Sequence, residues 1–343
     1  MHHRKLGNTG AVVTHLCLGA MTFGNESTEE VSFGLMDDYA AAGGNFIDTA
    51  DVYTAGASEL IVGRWLKARP TEAKRMVIAS KGRFPMGEGP NDVGLSRRHL
   101  GEALDASLSR IGVERIDLYQ MHAWDALTPI EETLRFLDDA VRAGKIAYYG
   151  FSNYLGWHIT KAVYEARARH FTAPATLQPQ YNLLCRDIEH EIVPACLDAG
   201  IGLLPWSPLG GGWLAGKYKR DTLPKGATRL GEDPNRGMEA YAPRNAKEKT
   251  WMIIDTVQRI AGAHGATPAQ VSLAWVAAQP AVTSVILGAR TRAQLKDNLG
   301  AAGLVLTSED LAELDRVSRP DMEEYPYGPQ GIGQRHRKIA GGR

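Results

Sequence analysis

Four polar side chains of different chemistry end or follow short apolar runs within the first 122 residues of the chain. Asp48 and Tyr53 lie in NFIDTADVY, Lys81 in MVIASKG and His122 in IDLYQMH, at spacings of 5, 28 and 41 residues. A free tyrosine has a pKa of about 10, and a neighbouring ammonium favours its phenolate. Asp48 would compensate the charge of that ammonium, and a neutral His122 would orient a carbonyl group. The set predicts a general acid for carbonyl reduction.

These side chains require a fold that brings distant strand ends together. Eight short apolar runs alternate with helix-length segments, which indicates parallel strands joined by right-handed crossovers. The predicted strands are His15–Gly19, Asn45–Ile47, Met76–Ala79, Ile116–Met121, Ile146–Tyr149, Thr176–Gln180, Ile201–Pro205 and Ser284–Leu287. The prediction is an α/β protein with a (β/α)8 barrel, whose strands all end on one active-site face. A doubly wound open sheet is the alternative.

Further elements surround the predicted barrel. Arg4–Leu6 and Ala11–Val13 flank a glycine-containing turn and predict an N-terminal hairpin over one barrel end. A long loop, 209–245, follows strand seven, and two extra helices, 247–264 and 268–278, precede strand eight. Helix starts are predicted at four threonines, namely Thr128, Thr267, Thr291 and Thr307. We expect one domain over 1–319 and a C-terminal tail, 320–343, that is partly disordered or forms an interface arm.

Composition excludes several classes of function. Lys plus Arg equals Asp plus Glu, 39 each, so the basic surplus of a nucleic-acid binder is absent. Three scattered cysteines indicate a reducing compartment rather than a disulfide framework or a metal site. No apolar run approaches the length of a membrane span, and the first residues lack a secretory signal. We expect a cytoplasmic protein, with homo-oligomerisation left open.

The motifs IDTADVY, ASKG and YQMH resemble the catalytic tetrad of the aldo-keto reductases. Further matching segments are LGNTG, GKIAYYGFSN, LQPQYNLL, GLLPWSPLGGGWLAGKY and VILGARTRAQLKDN, so the resemblance covers roughly residues 4–317. It implies that Tyr53 is the proton donor, that Lys81 and Asp48 tune it, and that His122 orients the carbonyl. Because the related potassium-channel β subunits have asparagine in place of His122, the histidine favours a catalyst over a nucleotide-sensing module with little turnover.

The resemblance also implies a nicotinamide dinucleotide bound without a Rossmann domain. Gly210–Ala215 formally matches GxGxxA. Because this match occurs late in the chain and runs into a loop, we do not interpret it as a dinucleotide-binding fingerprint. Family roles place Ser152, Asn153 and Gln178 at the carboxamide and Trp206 on the nicotinamide ring. The remaining residues that the resemblance assigns to the cofactor are Ala20, Met21, Ser207, Pro208, Leu209, Lys217, Gly288, Arg290, Gln294, Asp297 and Asn298.

The same resemblance bears on cofactor preference and substrate. Arg290 offers a guanidinium to a 2′-phosphate, so NADPH is expected over NADH. Gly288 and Gln294 stand where the mammalian pattern has lysine and arginine. Phe23 and Trp124 lie just beyond the predicted strands one and four and are expected to line the substrate pocket, with a packing role as the alternative. A small carbonyl compound is the expected substrate. An aldolase-like alternative would make Lys81 a Schiff-base nucleophile, which requires a lowered amine pKa.

Overall fold

A computed structural model describes residues 1–321, 324–329 and 331, and its strands match the predicted order. A hairpin of β1 (His3–Lys5) and β2 (Val12–Thr14) precedes the barrel. The barrel strands are β3 (Leu16–Gly19), β4 (Phe46–Asp48), β5 (Val77–Gly82), β6 (Ile116–Met121), β7 (Ile146–Ser152), β8 (Thr176–Gln178), β9 (Gly202–Leu203) and β10 (Val285–Leu287). β5 extends three residues beyond the predicted end, so Lys81 lies within a strand.

The eight strands form a closed ring. They pair in parallel in the order β10-β3-β4-β5-β6-β7-β8-β9. A parallel bridge between Leu203 and Val282 joins the last strand to the segment before β10, and Ile286 N–H donates to Pro205 C=O at 3.0 Å. The (β/α)8 barrel is therefore confirmed, and the open doubly wound sheet is excluded.

Helices cover the outside of the ring. They are α1 (Glu29–Ala41), α2 (Ala57–Ala68), α3 (Pro70–Ala73), α4 (Arg97–Ile111), α5 (Ile130–Arg142), α6 (Gly156–Ala168), α7 (Ile192–Ala199), α8 (Arg229–Glu232), α9 (Tyr241–Asn245), α10 (Glu248–His264), α11 (Pro268–Ala278), α12 (Arg292–Leu299) and α13 (Ser308–Ser318). The two extra helices before β10 are α10 and α11, as predicted. None of the helices in the described ranges is long and apolar enough to cross a membrane.

Three of the four predicted helix caps are present. Thr267, Thr291 and Thr307 each accept a backbone N–H at the start of α11, α12 and α13. The prediction for Thr128 was wrong, because α5 begins at Ile130 and no side chain caps it. The Thr128 hydroxyl instead donates to Asp125 Oδ2 at 2.6 Å, so a nearer carboxylate holds it away from the helix.

The hairpin closes one end of the barrel interior. Leu6 and Val13 are fully buried in a cluster with inward side chains of the strands, among them Phe46 and Leu118. Arg4 Nη1 donates to Val282 C=O at 2.7 Å, which ties the hairpin to the segment before β10. This packing confirms the predicted hairpin and leaves the opposite end of the strands for the site.

The long segment 209–245 contains more structure than its sequence predicts. It includes the short helices α8 and α9 and an apolar cluster that is separate from the barrel core. Trp213, Tyr218, Leu230 and Tyr241 pack there against Trp251 of α10, and Trp213 stacks on Tyr241 with ring centroids 5.4 Å apart. These residues have no helical or strand period, so the sequence pattern predicts a loop where aromatic packing holds a folded flap.

The described part of the C-terminal tail lies against the body of the protein. The Tyr327 hydroxyl donates to Glu191 Oε1, and the Tyr327 ring lies 5.8 Å from that of His190. The rest of the predicted tail, residues 322–323, 330 and 332–343, lies outside the described residues.

Candidate active site

The ends of three neighbouring strands position the four predicted catalytic side chains. Asp48 is the last residue of β4, Lys81 lies near the end of β5, and His122 directly follows β6. Tyr53 begins a short 3-10 turn, Tyr53–Gly56, that carries the chain from β4 to α2. Because β4, β5 and β6 pair in parallel in this order, their ends lie side by side on the carboxyl-terminal face.

The Lys81 ammonium joins the acid and the phenol. Its Nζ lies 2.5 Å from Asp48 Oδ1 and donates to Tyr53 OH at 3.1 Å and to Thr49 C=O at 2.8 Å. The side chain has no exposed surface. All three ammonium protons thus have acceptors, which offsets the loss of water around this buried charge.

Asp48 is held by two amides that pattern reading did not single out together. Its Oδ2 accepts from Gln178 Nε2 at 2.9 Å and from Gln120 Nε2 at 3.1 Å. Gln178 was predicted to bind cofactor, whereas Gln120 was missed. The two-residue period of β6 indicates it. Gln120 lies two residues before His122, so its side chain points to the same side of the strand, towards the barrel interior that Asp48 also faces.

Opposing effects set the pKa of Tyr53. Burial raises the pKa of the Tyr53 hydroxyl, whereas the charge of Lys81 and its hydrogen bond lower it. The predicted influence of Lys81 is therefore present, but burial outweighs it. Burial also disfavours the charge on Lys81, yet Asp48 and Tyr53 together raise the pKa of its amine above the ordinary value. A Schiff-base nucleophile would need the opposite shift, so Lys81 lacks the property that the aldolase-like alternative requires.

His122 is neutral at ordinary pH. Burial lowers the pKa of its imidazole to about 2, with further lowering by the charges of Lys81 and Arg83. Its ring lies 5.7 Å from the Tyr53 ring and 4.7 Å from that of Phe84, edge to face in both cases. Nδ1 is buried and has no hydrogen-bond partner among the described residues. A neutral imidazole beside the phenol can therefore share a substrate oxygen with it.

A cavity of about 490 Å³ opens from this group towards the flap formed by 209–245. Asp48, Tyr53 and His122 line its inner end, while Lys81 lies behind them. The predicted cofactor residues that line it are Met21, Ser152, Asn153, Gln178, Trp206, Ser207, Pro208, Leu209, Lys217, Gly288, Arg290, Gln294 and Asn298. Thirteen positions from five separate strand ends and the segments that follow them thus converge on one space.

Polar side chains near the inner end form a connected network. Asn153 Nδ2 donates to His122 C=O at 3.0 Å, and Trp206 Nε1 donates to Asn153 Oδ1 at 3.1 Å. Ser152 Oγ donates to Gln178 C=O at 2.9 Å. The network fixes the Trp206 ring along the cavity wall and leaves a flat aromatic surface beside amide and hydroxyl groups.

The outer end of the cavity is rich in charge. Arg290 Nε lies 2.7 Å from Glu26 Oε2, and its Nη1 lies 2.8 Å from Glu232 Oε1. Nη2 of the same guanidinium is buried without a partner among the described residues. Burial and the charge of Arg290 lower the pKa of Lys217. The amides of Gln294 and Asn298 shape this loop, accepting from Arg290 N–H and donating to Gly288 C=O respectively.

Four predicted binding residues do not line the cavity in the described ranges. Ala20 and Phe23 are fully buried, so their side chains pack in the core. Asp297 accepts from Gln270 Nε2 and Thr267 Oγ1 and so ties α12 to α11. Trp124 stacks on His158, with ring centroids 4.1 Å apart and planes within 5°.

Several cavity residues were not predicted. Glu26, Arg229 and Arg236 contribute charge at the outer end, and Gly211 and Gly212 form part of the wall. The glycines belong to the GxGxxA match, which forms a 3-10 turn and opens no helix of a βαβ unit. Glu26 and Arg236 lie in loops and Arg229 begins the four-residue helix α8, so none of them belongs to a periodic pattern and only their charge could have indicated them.

Comparison with known proteins agrees with this architecture. The Aldo/keto reductase family profile matches residues 15–319. An uncharacterized oxidoreductase of Bacillus subtilis is 37% identical, over 92% of this chain and 96% of its own. A probable voltage-gated potassium channel subunit beta of Oryza sativa subsp. japonica is 34% identical, over 94% and 99%. Versiconal hemiacetal acetate reductase of Aspergillus parasiticus is 33% identical, over 97% and 98%. The chain therefore belongs to the aldo/keto reductase family of oxidoreductases.

Proposed function

We propose that the protein reduces aldehydes or ketones to alcohols, with NADPH as hydride donor and Tyr53 as proton donor. The observation that supports this most directly is the position of Lys81 Nζ, which contacts both Asp48 and Tyr53. A phenol placed beside a compensated ammonium can lose its proton to a developing alkoxide and be stabilised as phenolate. The relatives named as reductases support the same class of reaction.

Each catalytic side chain has a distinct role in this proposal. The substrate oxygen accepts hydrogen bonds from the Tyr53 hydroxyl and from the N–H of neutral His122. Lys81 stabilises the phenolate that remains after proton transfer, and Asp48 keeps Lys81 charged and in place. The reduced nicotinamide supplies the hydride when it is bound. In the direction of alcohol oxidation, the same phenolate accepts the proton.

The chain's own residues fit a dinucleotide phosphate. The unpartnered Nη2 of Arg290 would gain an acceptor from a phosphate oxygen, and Lys217 and Arg229 add positive charge to the same cavity. The exposed face of Trp206 suits a flat ring, with Asn153 and Ser152 beside it. These features support NADPH as the cofactor, with NADH less favoured.

A nucleotide-sensing module with little turnover is the second candidate. Relatives named as potassium channel β subunits align over nearly the whole chain. The property that separates the two candidates is turnover. His122 supports the catalyst, since it places a neutral N–H donor beside the Tyr53 ring.

Substitution of Tyr53 tests the reductase proposal. We expect Tyr53→Phe to lower kcat at least about a thousandfold, because the phenol supplies the only proton in the proposed step. The affinity for NADPH, measured by quenching of tryptophan fluorescence, should stay within about twofold. The control is Tyr164→Phe, which removes a hydroxyl from an exposed tyrosine of α6.

The assay uses a panel of aldehydes, keto-sugars and quinones with NADPH and NADH. Substantial turnover by Tyr53→Phe would contradict the assigned proton donor. NADPH binding without oxidation by any panel member would favour the sensor. Cytoplasmic localisation, a domain boundary at residue 319, and the state of oligomerisation stay predictions from the sequence.

A further inference from the structure

Arg83 is a cation near His122. The proposed catalytic group does not use it. Arg83 directly follows β5, two residues after Lys81. Its Nη2 makes a single long hydrogen bond to Trp124 C=O at 3.4 Å, and its buried Nε has no partner among the described residues. Within the same part of the chain it forms no ion pair, although most other half-buried arginines there do. A half-buried guanidinium with unused donors is a binding group for an anion.

The backbone holds Arg83 in a conformation that non-glycine residues rarely adopt. Its φ is 148°, and its C=O accepts from Gly94 N–H at 2.9 Å. Such strain persists only where the surroundings fix it, and it concentrates at ligand sites. The Arg83 side chain therefore extends from a fixed backbone position at the end of the strand and not from a loose loop.

The guanidinium lies beside the Phe84 ring and near His122, and Arg83 is not one of the residues that line the cavity itself. Arg83 Cζ is 5.1 Å from the centre of the Phe84 ring, and that ring is 4.7 Å from the imidazole of His122. Burial raises the pKa of the Asp125 carboxyl, but its hydrogen bonds and the charge of Arg83 lower that pKa below the ordinary value. Asp125 is already occupied by Leu95 N–H, Leu127 N–H and the Thr128 hydroxyl, so it does not pair with Arg83.

We propose that Arg83 binds a carboxylate or phosphate group of the substrate while the substrate's carbonyl oxygen lies at Tyr53 and His122. The inference rests on the proposed reductase function and narrows it to carbonyl compounds with an anionic group a few bonds from the reacting carbon. A guanidinium presents paired N–H donors that match either anion. Recognition of that group would favour charged aldehydes or ketones over uncharged ones of the same length.

Matched substrates test this selectivity. The pairs are succinic semialdehyde against butanal for a carboxylate, and glycolaldehyde phosphate against glycolaldehyde for a phosphate. We expect the wild-type kcat/KM to favour at least one charged member, which also identifies the anion. In Arg83→Met that ratio of charged to uncharged should fall at least about tenfold, mostly through KM. Arg83→Lys should give an intermediate ratio, since it keeps the charge but not the paired donors.

The control is Arg135→Met, because Arg135 Cζ lies at the same 5.1 Å from the Phe171 ring but on the outer helix α5. An unchanged ratio in Arg83→Met, or no wild-type preference for either charged member, would overturn the proposal. Calorimetry of succinate and of inorganic phosphate binding to the NADP⁺-loaded protein provides a measurement without turnover. Weaker binding of either anion by Arg83→Met than by wild type supports the proposal, and equal binding of both anions contradicts it. Failure of the reductase function would instead leave every substrate unreduced.

Discussion

At the scale of single residues, the site depends on side chains that satisfy one another's buried charges. Lys81 has three acceptors, and the carboxylate of Asp48 has three donors, which come from Lys81, Gln120 and Gln178. Removal of any one partner would leave a buried polar group unpaired. The proposed catalytic group is thus also part of the hydrogen-bonded interior of the barrel.

His122 should make folding stability depend on pH. Because its folded pKa is lowered to about 2, the unfolded chain binds a proton more readily, and stability is lost as pH falls below about 6.5. At pH 5 this loss is about 2 kcal/mol relative to neutral pH. We expect His122→Gln to flatten the dependence of the unfolding free energy on pH between 7 and 5 by about that amount.

Urea unfolding at several pH values measures this effect. The control is His3→Gln, a substitution of an exposed histidine in β1, which should leave the pH dependence as in wild type. An identical slope for wild type and His122→Gln would show that His122 does not carry the acid sensitivity.

At the scale of elements, Glu26 joins the loops that follow three different strands. It lies after β3, and its carboxylate binds Arg236 at 2.8 Å and Arg290 at 2.7 Å. Burial opposes its charge, but the two guanidiniums lower the pKa of Glu26 below the ordinary value. Arg236 belongs to the flap after β9, and Arg290 follows β10. The Glu26 carboxylate therefore helps to hold the flap to the barrel rim, together with the pair of Arg290 and Glu232.

Removal of that charge should loosen the flap. We expect Glu26→Gln to increase the rate of tryptic cleavage after Lys225, Arg229 or Arg236 several-fold, because local opening governs access to these bonds. Mass spectrometry of the fragments identifies the sites. Glu29→Gln is the matched control, since Glu29 forms a 2.6 Å pair with Arg64 on the exposed surface. Equal cleavage rates in the two variants would argue against a holding role for Glu26.

An element was predictable from the sequence where residues close together in the chain determine it. It was not predictable where contacts between distant residues determine it. Thr267, Thr291 and Thr307 cap their helices because the partner lies three residues ahead. Thr128 fails because Asp125 competes for its hydroxyl. The pairing of Glu26 with Arg290 crosses most of the chain, and the flap is held by aromatic packing without a period. Neither this ion pair nor the folded flap can be predicted before the fold is known.

The positions of the proposed catalytic residues in the fold were predictable for the same kind of reason. Asp48, Lys81 and His122 occupy equivalent places at consecutive strand ends, and parallel pairing alone brings such ends together. Arg83 could be located in the same way, but its lack of a partner could not. That property depends on Asp125 being occupied by Leu127 N–H and the Thr128 hydroxyl of its own loop and by Leu95 N–H of the loop after β5.

At the scale of the whole molecule, the hairpin and the last strands depend on close backbone contact. Gly202, the first residue of β9, approaches the hairpin so closely that an added Cβ would lie 2.8 Å from Gly7 N and 2.2 Å from Thr283 Oγ1. Gly7 itself has a φ of 57° in the turn between β1 and β2. The closed end of the barrel therefore has no room for a methyl group there.

Overpacking at this contact should weaken the whole fold. We expect Gly202→Ala to lower the unfolding free energy by about 1–3 kcal/mol, since backbone atoms of the hairpin must shift. The midpoint of urea unfolding reports the change. Gly303→Ala is the control, because a Cβ at that position meets nothing within 4 Å. Equal midpoints for both variants would show that the hairpin shifts to accept the methyl group without a loss of unfolding free energy.

Five non-glycine residues on the carboxyl-terminal rim have positive φ, in contrast to the regular strands that carry them. They are Thr54, Ala55, Arg83, Asn153 and Ser207. Each such conformation costs on the order of 1 kcal/mol or more, which the rest of the barrel must offset. On heating, this rim should relax before the sealed end melts. Thermal inactivation is then expected at a lower temperature than loss of secondary structure. Brief warming should produce a protein that keeps its helices but has no enzymatic activity until it is cooled.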